Sequence, residues 1–440
     1  MHSSSICNAA SIGIVAEADG IVHVPRRFTE KEWGGTETVI LNLAKEQSAA
    51  GWRPEIVTSQ ALDATSKGKI AGIPVSRFRH CYPFLNLGKD ARAAMDRKGG
   101  NLISASLLWK LLRTPHVRLY HAHAIKRLGG HVRIAARLRD KPYVVTLHGG
   151  HYDVPQAERE DLVQPARGAF EWGRAVGALL GARRTLRDAD HVICVGHGEY
   201  EAARSRLPHD RVSWLPNGVD ADRFADGEGA RFREEHGIPA EAFLVLCLSR
   251  IDAQKNQLQL VDSFARLKKS RPDARLALAG PVTQPVYAAR IRHRIEKLGL
   301  TKEVLFLPGF RNDDPALVNA YHACDVFALP SRHEPFGIVV LEAWSAGKPV
   351  VASCVGGLRR LVDDGRTGLL FDPDSHDATE ALANALNRFH VGGRALRAEF
   401  GEEGRLEARK YTWTEVARRQ EAIYRAAMEH NAVGKGKVRS

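Results

Sequence analysis

The sequence predicts an α/β fold built from two doubly wound parallel-sheet domains. Three observations lead there. Short β-branched runs alternate with helix-length segments along the chain, the alternation occurs in two series, and one Pro-Asn-Gly break, Trp214–Phe224, separates them. In order, Ser11–Glu17 (SIGIVAE) reads as a first strand. A loop then leads to WGGTETVILNLAKEQSAAGW, whose apolar spacing suits a helix after the Gly34-Gly35 turn. PEIVTS, VRLYHAH, PYVVTLH and HVICVG follow as strands. After the break come FLVLCLS, ARLALAG, VLFLPG, DVFALP, PVVAS and GLLF, again with helices between. The expected units are residues 1–216 and 217–410, an amphipathic C-terminal helix over 411–430, and a basic tail over 431–440 without fixed structure.

With 440 residues, 44% hydrophobic and 26% charged, the composition is that of a soluble globular protein. No apolar run reaches the roughly 18 residues that span a bilayer, and MHSSSICNAASIGIV lacks the basic start of a signal peptide. A cytoplasmic location is expected. Cys7, Cys81, Cys194, Cys247, Cys324 and Cys354 are scattered, which signals neither a disulfide framework nor a zinc site and suggests reduced core residues. The net charge is +13, and Lys67–Lys141 holds 17 basic against 3 acidic residues. Such a segment attracts anions, whether nucleic acid, an anionic membrane or a phosphorylated substrate.

The chemistry concentrates in the second series. LSRIDAQKN places Arg250 and Lys255 at a strand end, just before a helix whose positive end disfavours cations unless an anion sits there. Pro335-Phe336-Gly337 leads into another helix start, where unpaired N–H groups bind anions, and Gly34-Gly35 in the first series follows the same logic. Glu334 and Glu342 bracket that start. A glycosidase-like pair would stand about 5 to 9 Å apart. Eight residues of helix rise about 12 Å, so two separate contacts on one ligand fit better. His121 with His123, and His148 with His151, could be metal ligands, but no acidic residue stands beside them at ligand spacing; hydroxyl binding in a cleft suits them better.

Gly34-Gly35, Asn217-Gly218-Val219-Asp220, Arg250 with Lys255, Glu334-Pro335-Phe336-Gly337 with Glu342, and Gly356-Gly357 together resemble the retaining nucleotide-sugar glycosyltransferases of family four, which have the GT-B fold. The E-x7-E spacing around Pro-Phe-Gly is the specific part. The resemblance implies an acceptor domain first and a donor domain second, with the last helix returning to the first. Arg250 and Lys255 would hold the donor diphosphate with the backbone of Phe336, Gly337, Ile338 and Gly35. Glu342 would hold the ribose, and Glu334 the transferred sugar. His148 would lie beside the reacting carbon, and Phe310 or Arg311 would flank the base. No metal cofactor is implied. Where the family has Pro-Glu after Gly356-Gly357, this chain has Arg359-Arg360, which leaves the donor sugar open.

The same resemblance makes the partners a nucleotide sugar and a glycan or lipid-linked acceptor of the cell envelope or an exopolysaccharide. Residues 67–141 would meet an anionic membrane surface as a peripheral contact. Asn101–Arg118 reads equally as an interfacial helix or as a helix packed on the sheet. Nucleic acid is not expected, because aromatics are 7% of the chain and do not interleave with the basic residues. The rival readings are a nucleotide-sugar 2-epimerase and a non-catalytic sugar-nucleotide-binding protein.

Overall fold

The computed structural model describes residues 19–97, 99–152, 160 and 164–438, with side chains through 432. The first half supplies β1 (Gly20–Val24), β2 (Arg53–Ser59), β3 (Lys67–Ile70), β4 (Ile73–Phe78), β5 (Phe84–Leu85), β6 (Val117–Ala122), β7 (Tyr143–Leu147), β8 (Phe170–Glu171), β9 (His191–Cys194) and β10 (Val212–Trp214). Eight of these form one sheet in the order β10-β9-β7-β6-β1-β2-β4-β3, parallel except at the β3 edge; β5 and β8 pair apart. The second half supplies β11 (Leu244–Leu248), β12 (Arg275–Ala279), β13 (Val304–Leu307), β14 (Val326–Leu329), β15 (Val350–Ser353) and β16 (Gly368–Phe371). Their order is β13-β12-β11-β14-β15-β16, parallel throughout.

Strands covered on both faces need near-continuous apolar runs, and VFAL of β14 and VVAS of β15 are buried at every residue. Each sheet reverses its order once, between β1 and β6 and between β11 and β14. A crevice opens beyond the carboxyl ends of strands at such a point. Two Rossmann-like domains with facing crevices constitute the GT-B fold.

The chain passes between the domains next to its own return. Val219 N–H donates to the Tyr411 carbonyl at 2.7 Å, and Val219 bridges to Thr412. Trp413 fills the space beside Gly218, where a Cβ would stand 2.8 Å from the indole. The last helix, Trp413–Val438, lies against the helix Gly35–Ala49. Trp413, Val416, Tyr424 and Ala427 join the first domain's Ile21, Val39 and Leu43 in one core.

Several expectations change. Ser11–Glu17 falls outside the described residues; the first strand described is Gly20–Val24, whose His23 hides its apolar character. The β3-β4 hairpin turns at Ala71-Gly72, with φ of 46° and 83°, a left-handed pair that lacks the usual Asn-Gly signal. The final helix continues to Val438, through most of the stretch expected as a tail. Cys194, Cys247 and Cys324 are buried, but Cys81 is exposed and Cys354 half-buried, so the cysteines are not uniformly core residues.

The helix within Asn101–Arg118 is Ala105–Arg113. Leu107 and Leu111 are fully buried, Leu108 and Leu112 pack partly on the same core, and Lys110 pairs with Glu55 at 2.8 Å. It is a sheet-packing helix; Trp109 alone among its large apolar side chains is exposed, with Arg113 stacked 4.0 Å from its ring centroid. The basic segment is also less free than its count suggests. Arg77 pairs with Asp63, Arg97 with Glu32, Arg118 with Asp19, Arg127 with Glu171 and Arg133 with Asp188, all carboxylates outside the segment.

Candidate functional site

The facing crevices bring together residues 300 apart in sequence. Strand β7 ends at Leu147, and His148-Gly149 follow; strand β14 ends at Leu329, and the loop from Pro330 to Gly337 follows. Gly149, at φ 79°, touches Pro335 so closely that a Cβ would lie 2.0 Å from the proline Cγ. Gly35 faces Ile338, with 3.7 Å between its Cβ position and the isoleucine Cδ1. The N-termini of two helices, Gly35–Ala49 and Ile338–Ser345, thus open toward the same space. Gly337 caps the second at φ 103°, a conformation that favours glycine. Helix N-termini favour anions, and at the first of these the buried Glu37 already accepts from the N–H groups of Gly34 and Glu37.

Behind it stand the cations. Arg250 follows β11 and bonds Asp252 at 2.8 Å and the Gln254 carbonyl oxygen at 3.1 Å. The buried Asp252 also accepts from Lys255 N–H and the Thr283 hydroxyl, which holds the Arg250–Lys255 turn in place. The Lys255 ammonium meets the Glu334 carboxylate at 2.5 Å, both side chains nearly enclosed. Lysine and glutamate, expected on different parts of one ligand, are therefore partners of each other. Gly356-Gly357 buttress this loop: Gly357 N–H donates to the Glu334 carbonyl at 2.8 Å, and a Cβ on either glycine would collide with residues 334–336.

Glu334 precedes the helix and Glu342 lies on it, so the two carboxylates do not form a face-to-face pair. Glu342 Oε2 accepts from the Tyr321 hydroxyl at 2.7 Å; Oε1 has no hydrogen-bond partner among the described residues. Desolvation raises its pKa, while the Tyr321 bond and the nearby Arg223 guanidinium lower it. Phe310 packs partly against the second domain's core, with Phe232 edge-on at 6.1 Å. Arg311 is exposed at the rim, bonded to Asp313 and 3.8 Å from Glu30 of the first domain. Arg359 donates to the Cys354 carbonyl, and the exposed Arg360 lines a narrow gap with His197 and Trp214. Asn217 is buried at the domain crossing.

The histidines form the first domain's share. His23, His121 and His123 place ring nitrogens within 4.8 Å of one another. Every one of these nitrogens already has a hydrogen-bond partner: Gln47, His123, Tyr424, Thr146, His23 or His148. His148 is half-buried, and burial lowers its pKa to about 4, so it is neutral at pH 7. The sequence reading missed Asp252, Tyr321, His23 and Gln47. Asp252 had a legible signal in the spacing R-x-D-x-x-K; the others are joined to the site only by the fold. A cavity of about 1,090 Å³ lies at the amino ends of the second sheet, away from this chemistry.

Residues 33–223 match the family described as Glycosyltransferase Family 4, and residues 229–407 match Glycosyl transferases group 1. The chain is 30% identical over 411 residues, 90% of its length and 84% of the relative's, to a D-inositol 3-phosphate glycosyltransferase of Streptomyces avermitilis. The chain belongs to the family four glycosyltransferases. Another relative of the same description, from Corynebacterium glutamicum, is 33% identical over 235 residues, 51% of this chain and 54% of that protein. The chain thus spans about half the length of some curated relatives it matches. The GT-B fold of this chain is shared with Anabaena HepE, solved with UDP and glucose: TM-score 0.66, 22% identity, 91% of this chain and 98% of that one covered. Among the described residues of the glycosyltransferase, no helix is long and apolar enough to cross a membrane.

Proposed function

We propose that the chain transfers a sugar, with retention, from a nucleoside-diphosphate sugar to an anionic glycan or lipid-linked acceptor of the cell envelope. One observation carries the reading: two helix N-termini, Arg250 and Lys255 converge on the space where His148-Gly149 meets Glu334-Pro335. As the glycosidic bond breaks, negative charge grows on the diphosphate, and fixed cations and N–H dipoles stabilise it most in the transition state. Lys255 would exchange Glu334 for phosphate. Glu334, released, would accept hydrogen bonds from sugar hydroxyls, and Glu342 Oε1 would accept from the ribose. The leaving phosphate is the natural acceptor of the acceptor's proton. These charges require no divalent metal, so transfer should survive chelator.

The acceptor's charge is supported by a first-domain cavity of about 980 Å³, lined among the described residues by Lys126, Arg127, His151, Arg174 and Arg183 with Glu171 as the acid. The relatives' names point the same way, including a Mycolicibacterium smegmatis phosphatidylinositol monomannoside mannosyltransferase. A 2-epimerase reading finds no such support. A panel of nucleotide sugars tests the proposal, because a bound donor raises the melting temperature. Transfer should follow with the stabilising donor, its product anomer matching the donor's. A panel without a hit would remove the donor-site reading.

A further inference from the structure

The first domain buries an unbroken line of neutral side chains that ends at His148. The Gln47 carbonyl oxygen contacts His23 Nε2 at 2.8 Å, His23 Nδ1 contacts His123 Nε2 at 2.9 Å, and His123 Nδ1 contacts His148 Nε2 at 3.0 Å. His23 is fully buried, and Gln47 and His123 are 6% and 8% exposed. Burial lowers the pKa of His23 to about 4 and that of His123 well below its usual value, so each ring is neutral and carries one proton. A neutral imidazole donates from one nitrogen and accepts at the other. In a line of such rings, the orientation of the first fixes every one that follows.

The far end sets that orientation. Gln47 Nε2 donates to Gln420 Oε1 at 2.8 Å and to the Tyr424 hydroxyl at 3.2 Å, both on the returning C-terminal helix. Tyr424 donates to the same Gln420 oxygen at 3.0 Å. The Gln47 amide therefore turns its carbonyl oxygen, which can only accept, toward His23. It follows that His23 holds its proton on Nε2, His123 on Nε2 and His148 on Nε2.

We infer that Gln47, His23 and His123 are positioning residues that lock His148 as the Nε2–H tautomer and present a bare Nδ1 lone pair to the transfer site. The inference rests on the placement of His148 beside the donor sugar proposed above. An imidazolium or an N–H dipole aimed at a carbon gaining positive charge would raise the barrier. A lone pair opposes that charge less and can accept from a sugar hydroxyl. The C-terminal helix thereby reaches the chemistry through four hydrogen bonds, without a residue of its own in the cleft.

The test uses the full chain labelled with 15N and 13C in histidine, with the His148 signals assigned from a His148→Gln variant. At pH 7, imidazole 15N–13C correlations should show His148 protonated at Nε2 and bare at Nδ1. Gln47→Leu removes the fixed end: His148 should become a tautomer mixture, and kcat should fall about 10-fold while the donor KM stays within about 2-fold. Gln47→Glu, whose carboxylate can only accept, should restore the single tautomer. His23→Phe breaks the next link without adding charge and should repeat the Gln47→Leu result, which covers the case where one variant folds poorly. An Nδ1–H tautomer in the unmodified chain, an unchanged tautomer in both breaking variants, or zinc displacing the His23, His121 and His123 bonds would overturn the inference. The tautomer is read without substrate, so it stands or falls separately from transferase activity.

Discussion

The two halves of the site are built from opposite materials. The first domain offers neutral rings and amides joined by bonds of 2.7 to 3.0 Å, with both ring nitrogens of His23, His121 and His123 occupied. The second offers the charges Arg250, Lys255, Glu334 and Glu342, paired with each other or with neighbours. Beside them Ser331 Oγ and His333 Nε2 are buried without hydrogen-bond partners among the described residues. A satisfied neutral network is rigid and specifies one arrangement, whereas an ion pair near a cleft can exchange one member for a ligand. On the proposed reading, the first half would be set before substrate arrives and the second would rearrange around it.

The largest effects should come from the charged half. Lys255→Ala and Glu334→Ala should each lower kcat/KM by roughly 10²- to 10³-fold, since each removes a transition-state contact and leaves its partner's charge enclosed. Donor hydrolysis without acceptor should vanish with them. If either variant kept full activity, the exchange of Glu334 for phosphate at Lys255 would be wrong. His148→Ala should cost about 10²-fold in kcat with a smaller change in donor affinity, measured by steady-state kinetics.

A pH titration separates the halves by stability. The histidine pKa values of the first half are lowered on folding, His23 to about 4 and His121 and His123 well below their usual value, against 6.5 unfolded. Below pH 6.5 the unfolded chain binds more protons than the folded one, so stability should be full above pH 6.5 and fall as pH drops toward 4. His23→Gln should flatten that slope in a denaturant-melt series. Tyr321→Phe, a smaller change, removes a bond from Glu342 and should weaken donor binding about 5-fold without altering the pH slope of stability. The smallest effect belongs to Trp109→Ala, which should reduce binding to anionic vesicles at low salt and leave transfer to a soluble acceptor unchanged. Equal vesicle binding would detach the membrane surface from residues 67–141.

Much of this was legible because parallel strands covered on both faces must be apolar at almost every residue. All six strand runs read in the second series form β11 to β16. Glycine at a positive φ or a close approach leaves an equally direct trace, and Gly337 and Gly356 at 103° and 46° show why that loop tolerates no Cβ. Glu334 and Glu342 stood out because charge in an apolar surround needs a partner, and Arg250 and Lys255 because cations at a helix N-terminus need an anion.

The sequence by itself determined that this protein has two doubly wound domains and that a Glu-Pro-Phe-Gly helix start and two strand-end cations matter. Local pattern carries that information. Only the tertiary structure decided that Lys255 and Glu334 neutralise each other, that the cations of 67–141 are partly claimed by carboxylates elsewhere, and that Gln420 and Tyr424 anchor a line to His148. Those facts are distances between residues up to 377 apart in the chain, and hydrogen bonds and ion pairs depend on ångströms, which no one-dimensional pattern records.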